Sequence, residues 1–122
     1  MARILVADSD PVVLTAATDA LQPHGVLTAL DADKALEKTG RGKPDLVILG
    51  RFQGCECGAE ACNRIKDDSR TGRIPVLMLC PSPTGRKDTC RCKGDRCLAR
   101  PFRGQDLAAI ADCLLNPRLP LS

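Results

Sequence analysis

Apolar residues in this chain fall into short unbroken runs, separated by stretches where they recur every three or four positions. The run Arg3–Ala7 (RILVA) has the make-up of a strand buried on both faces. DSDP follows, in which Ser9 or Asp10 can cap a helix opening on Pro11, a residue suited to the first helical position. Leu14, Ala17 and Leu21 then recur at helical spacing until Pro23 and Gly25 end the pattern. Val26–Leu30 is predicted as a second strand, DADKALEKTG as a short helix closing on Gly40, and KPDLVILG as a third strand. Gly58–Asp68 reads as a helix, Arg73–Cys80 (RIPVLMLC) as a fourth strand, and Cys97–Phe102 (CLARPF) as holding a fifth. The last helix, RGQDLAAIADCLL, places Leu107, Ile110, Ala111 and Leu114 on one face. Of the connections, QPHG reads as a loop with His24 solvated. GRGK (Gly40–Lys43) reads as a turn and not a phosphate-binding loop, since it does not lead from a strand into a helix.

Strands alternating with helices predict an α/β fold, a single doubly wound parallel sheet wrapped on both faces. Such sheets gather functional groups at the carboxyl ends of their strands, where the strand order reverses. The residues expected there are Asp8, Ser9, Asp10, Gly50, Cys80 and Arg100.

One segment departs from the pattern. Pro81–Arg96 (PSPTGRKDTCRCKGDR) runs sixteen residues without a Val, Ile, Leu, Met, Phe or Ala, so a helix there would have no face to bury. It carries five Lys/Arg and two Asp, a local charge equal to the +3 of the whole chain. The helix expected after the fourth strand is therefore read as missing or remodelled. Either the segment is a disordered loop, which at sixteen residues is uncommon in a compact domain, or something other than hydrophobic burial orders it.

Composition narrows the classes. The 122 residues fit one domain, read as 1–116, with 117–122 as a tail or the start of a linker marked by Pro117 and Pro120. With no Trp or Tyr and only Phe52 and Phe102, the core has to be aliphatic. No signal peptide or run of 18 apolar residues is visible, so the reading is a cytoplasmic protein without a membrane partner. No Ser/His/Asp set and no Cys/His pair stands near the strand ends, which argues against an enzyme.

ILVADSDP, PDLVILG, IPVLMLC and CLARPF, in that order and spacing, resemble the four motifs of the bacterial response-regulator receiver domain, over about Arg3 to Leu115. The resemblance implies a flavodoxin-like (βα)5 fold related to the chemotaxis regulators. It also implies a site in which an aspartate at the end of the third strand accepts a phosphoryl group beside Mg²⁺ held with an acidic pair. The residues at those positions depart from the pattern. The phosphoacceptor position is Gly50, which has no nucleophile. The acidic pair becomes Asp8 and Ser9, one hard oxygen ligand fewer for Mg²⁺. The switch hydroxyl becomes Cys80, the lysine becomes Arg100, and the switch aromatic becomes Cys97. The resemblance thus implies a degenerate pseudo-receiver with no Mg²⁺ at this site. The Arg100–Pro101 peptide is expected to be cis, as the family's Lys-Pro peptide usually is.

The eight cysteines complete the picture. In a reducing compartment they read better as metal ligands, reactive thiols or small core residues than as disulfides. Cys55, Cys57 and Cys62 share the spacing C-x-C-x4-C with Cys90, Cys92 and Cys97. Cys62 falls where a receiver helix carries a small buried residue, Cys97 opens a strand and could be core too, and Cys113 reads as packing. Cys55, Cys57, Cys90 and Cys92 remain as a four-thiolate set, with zinc expected ahead of an iron–sulfur cluster. Metal binding could order a loop that has no apolar face. An intact helix after the fourth strand would hold the two pairs on the order of 15 Å apart, and they would then form separate sites or meet in a homodimer.

The function expected is a phosphorylation-independent signalling and protein-interaction module. Its protein partner would dock through segment 81–102 and the last helix, the surface receivers usually use. The alternative is a redox or metal sensor built on the clustered thiolates. Nucleic acid is the least favoured partner, because the basic segment holds no aromatic residue to stack on bases.

Overall fold

In the computed structural model the described residues are 2–52, 58–80, 94–99 and 102–116. They form β1 (Arg3–Ala7), α1 (Pro11–Ala20), β2 (Gly25–Ala29), α2 (Ala32–Gly42), β3 (Leu46–Leu49), α3 (Ala59–Asp67), β4 (Val76–Cys80), β5 (Arg96–Ala99) and α4 (Gly104–Leu115). All four strand pairings are parallel, in the order β2-β1-β3-β4-β5. This is the doubly wound architecture that the alternation of runs predicts. The order reverses between β1 and β3, which puts the switch point beside the carboxyl ends of those two strands.

Period-two alternation within the central strands builds two cores. Ile4 and Val6 of β1, Leu46 and Ile48 of β3, and Leu77 and Leu79 of β4 face one side. They pack there on Leu14 and Ala17 of α1, on Leu21 just beyond it, and on Leu107 and Ala111 of α4. Leu5, Ala7, Val47, Leu49, Val76 and Met78 face the other side, against Ala35 of α2 and Ala61, Cys62 and Ile65 of α3. Being buried on both faces is why these strands are unbroken apolar runs. Phe52 joins the second core, so that core is not wholly aliphatic.

Helix starts follow local chemistry. Asp10 caps α1, its carboxylate accepting from the Val12 N–H at 2.9 Å with Pro11 next in the chain. Asp31 caps α2 by accepting from the Lys34 N–H at 2.7 Å. The helix end expected at Gly40 lies two residues further on. Gly40 and Gly42 stay helical, and Lys43 takes the left-handed conformation (φ 42°) while its N–H bonds the Thr39 carbonyl. The stretch read as a turn is thus the last turn of α2 and its cap.

Two connections are tighter than their sequences suggest. His24 is part-buried, with Nδ1 accepting from the Ala2 N–H at 3.0 Å and Nε2 lying 3.6 Å from Asp112 of α4. Ala2, directly ahead of β1, lies against the turn before β2 and draws the ring in, so His24 is not the solvated residue expected. Thr71 is buried and donates to the Ile65 carbonyl, which closes the turn after α3.

Segment 81–93, where a helix after β4 would lie, falls outside the described residues, as do Arg100 and Pro101 with their expected cis peptide. No helix among the described residues is long and apolar enough to cross a membrane.

Candidate functional site at the carboxyl edge of the sheet

β1 and β3 are adjacent, with Ala7 level with Leu49, so the next residues along each strand, Asp8 and Gly50, meet at the switch point. The Gly50 N–H donates to the Ala7 carbonyl at 2.7 Å, and the Asp8 N–H donates across to Ala29 of β2 at 3.1 Å. Asp8 is fully buried. Its Oδ1 accepts from the Asp10 N–H at 2.8 Å, and its Oδ2 accepts from the Arg51 N–H at 2.9 Å. Bonds to backbone N–H groups of this kind satisfy the oxygens of a carboxyl group taken out of water.

The Asp8 carboxylate also bears on Gly50. A Cβ placed on Gly50 would overlap Asp8 Oδ2 and come within 2.7 Å of Asp8 Cγ. The volume that a side chain at position 50 would enter is therefore filled by Asp8.

Ser9 completes a clasp on the same peptide. Its N–H and its hydroxyl both donate to the Arg51 carbonyl, at 2.8 and 2.9 Å. Arg51 is thus held through its N–H by Asp8 and through its carbonyl by Ser9. Past it, Phe52 turns back into the core, and the chain comes back to Gly50 at the buried Gly58. A Cβ on Gly58 would lie 3.1 Å from the Gly50 carbonyl oxygen, from Leu49 Cβ and from Phe52 Cε2. The Gly58 carbonyl then accepts from the Cys62 N–H at 2.9 Å as α3 begins.

Of the residues expected at the strand ends, Asp8, Ser9 and Gly50 come together, and Asp10 serves as the cap of α1. Cys80 closes β4 level with Ala99 of β5. Arg100 lies outside the described residues, as do Cys55, Cys57, Cys90 and Cys92. Among the described residues no group of three or more His, Cys, Asp or Glu is placed to hold a metal ion. Cys62 is a fully buried thiol in the α2/α3 core, and Cys113 is a half-buried thiol on α4; neither forms a disulfide. Cys97 differs from expectation: it is exposed and disulfide-bonded. Its strand lies at the sheet edge, which leaves it outside both cores. Arg51, Phe52 and Gly58 are not legible in the sequence as parts of this site. Arg51 contributes only backbone atoms, which no side-chain motif reports.

No family model matches this chain. It is 30% identical over 104 residues to protein PilH of Pseudomonas aeruginosa, an alignment covering 84% of each chain. It is 36% identical over 81 residues to the DNA-binding dual master transcriptional regulator RpaA of Synechocystis, covering 65% of this chain and about a third (34%) of that regulator. Among solved structures it superposes on the chemotaxis response regulator CheY4 of Vibrio cholerae with a TM-score of 0.80. That match is 24% identical and covers 93% of this chain and 98% of that one, a likeness that speaks for the fold alone.

Proposed function

Because this chain belongs to the response-regulator receiver (CheY-like) family, we propose that it is a pseudo-receiver: a signalling and protein-interaction module that works without aspartyl phosphorylation. One observation carries the reading. At position 50, where the family's phosphoacceptor would stand, there is a glycine, and the buried Asp8 carboxylate fills its side-chain space. The donor set is also a poor match for Mg²⁺, which asks for several hard oxygens in near-octahedral array. Both Asp8 oxygens accept backbone N–H groups, and the Ser9 hydroxyl is turned to the Arg51 carbonyl. Incubating the chain with acetyl phosphate and Mg²⁺ and reading intact mass tests this. The expected result is no hydroxylamine-sensitive phosphoryl adduct; an adduct on an aspartate overturns the reading.

In this reading the docking surface comprises segment 81–102 and α4, with Cys55, Cys57, Cys90 and Cys92 as a zinc clamp. Elemental analysis of protein purified without chelator tests the clamp, and about one zinc per chain is expected. Metal-free, ordered protein removes the clamp and leaves the pseudo-receiver.

A second reading, a thiol-based redox sensor, is favoured by the exposed and disulfide-bonded Cys97. In a reducing compartment such bonds are ordinarily transient and catalytic or redox-sensing. Dithiothreitol should then shift the β4 and β5 amide resonances reversibly, and an unchanged spectrum removes this reading.

A further inference from the structure

We infer that Asp8 and Gly50 are an interlocked pair, in which the Asp8–Ser9 dipeptide serves as a metal-independent lock on the loop leaving β3. The inference rests on the reading above only in naming position 50 as the phosphoacceptor's place. The steric argument itself needs no family.

Asp8 is fully buried, and its oxygens accept from the N–H groups of Asp10 and Arg51, so it has at least two anchors to give up before it can swing aside. Gly50 lies where any Cβ would strike that carboxylate. Each residue thus constrains its neighbour: glycine is required at 50 while Asp8 keeps its pose, and Asp8 keeps its pose because nothing projects from 50. Among the described residues the lock reaches the loop through Arg51. Arg51 is gripped at its N–H by Asp8 and at its carbonyl by Ser9, which ties the segment after β1 to the segment after β3.

A consequence separates this from simple loss of a phosphoacceptor. If only the aspartate at 50 had been lost, Gly50→Asp would restore a carboxylate to an open cleft. In an interlocked site the introduced carboxylate meets Asp8 instead. Gly50→Asp then destabilises the fold, and does so less once position 8 is cut back.

The test is a double-mutant cycle read by urea denaturation, with Gly50→Ala, Asp8→Ala and the double variant. Gly50→Ala is expected to lower the folding equilibrium constant roughly ten- to hundredfold, the range of an overpacked core site. In the Asp8→Ala background the same change is expected to cost less than about threefold, because Asp8 Oδ2 and Cγ, the two atoms nearest the added methyl, are gone and Asp8 Cβ lies at 3.1 Å. Equal costs in the two backgrounds overturn the inference.

Should Gly50→Ala fail to fold, amide hydrogen exchange of the unmodified chain decides. The Arg51 N–H should be strongly protected although its residue is exposed, and exchange at the rate of a free loop amide overturns the lock. The acetyl phosphate experiment keeps the two ideas apart. A phosphoryl adduct on the unmodified chain sinks the pseudo-receiver reading and leaves the cycle to be judged by itself. An additive cycle sinks the interlock and leaves that reading standing.

Discussion

The two ends of the sheet use the same device for different purposes. At the amino edge, Asp45 stands directly before β3 and Asp95 directly before β5, and each clamps the first residue of the neighbouring strand. Asp45 accepts from the Arg3 N–H at 2.9 Å and donates its own N–H to the Arg3 carbonyl at 2.8 Å. Asp95 does the same with Val76, at 2.8 and 2.9 Å. At the carboxyl edge, Asp8 also accepts backbone N–H groups, but they belong to loops, not strands. The difference is burial. Asp45 and Asp95 are exposed, so water can replace what they hold, whereas Asp8 has no exposed surface. A clamp at the amino edge needs little from its surroundings. The clamp at the carboxyl edge needs a glycine opposite it.

This contrast sets an order of effects. Asp8→Ala leaves the Arg51 and Asp10 N–H groups without their carboxylate in a part-buried setting. A loss of about 2–6 kcal/mol is expected, from roughly 1–3 per stranded group, measured by urea denaturation. A loss below about 1 kcal/mol would mean that water serves both groups and that the two edges do not differ. Asp95→Ala should cost less, about 1–2 kcal/mol. Its carboxylate also pairs with Lys66 Nζ at 2.7 Å, and that ammonium keeps a second bond to the Ile74 carbonyl at 2.7 Å. Lys66 is 13% exposed and Asp95 41%, so part of the pair is already hydrated. If Asp95→Ala proves as damaging as Asp8→Ala, burial is not what separates the edges.

What the sequence makes legible, and what it hides, divides along the same line. Strand positions, helix positions and both cores follow from apolar periodicity, because burial on two faces imposes the unbroken runs RILVA, LVIL and VLML. The meeting of Asp8, Ser9 and Gly50 follows from topology, since a doubly wound sheet brings the ends of its first and third strands together. The clasp is not legible. It depends on which way the Asp8 carboxylate turns, and on backbone atoms of Arg51 whose side chain plays no part. Asp45 and Asp95 are hidden for a related reason, since PD and GD before a strand read as ordinary turn chemistry. Whether Cys97 is core stays open in the sequence because an edge strand and a buried strand of four residues look alike there.

Smaller effects test whether the amino-edge elements sit in relaxed backbone. Lys43 ends α2 at φ 42°, in the left-handed region that favours glycine. Its side chain is exposed, so little packing opposes a change. Lys43→Gly should raise stability by about 0.5–1 kcal/mol, from relief of the left-handed strain, seen as a higher urea midpoint at an unchanged slope. An unchanged midpoint would mean that the glycine's greater freedom in the unfolded chain offsets that relief.

The smallest effect belongs to Asp68, which holds the same kind of bond with an exposed partner, Arg70, at the surface. Its carboxylate accepts from the Arg70 N–H at 2.8 Å and pairs with the Arg70 guanidinium at 3.2 Å, at the surface after α3. The side-chain hydrogen bond from Arg70, followed by that from its backbone N–H, holds the Asp68 carboxyl below its ordinary value of 3.8. A carboxyl lowered in the folded state contributes stability that is present above the ordinary value and is lost as pH falls through the folded one. The contribution should therefore be intact at neutral pH and fade only in acid below 3.8. Solvent and salt screen a pair this open, so Arg70→Ala should move the Asp68 titration back toward its ordinary value in a carboxyl-carbon NMR titration while leaving the urea midpoint at neutral pH nearly unchanged. A clear midpoint change would put Asp68 with Asp8, and carboxylate-to-backbone bonds in this fold would then carry their weight whether buried or not.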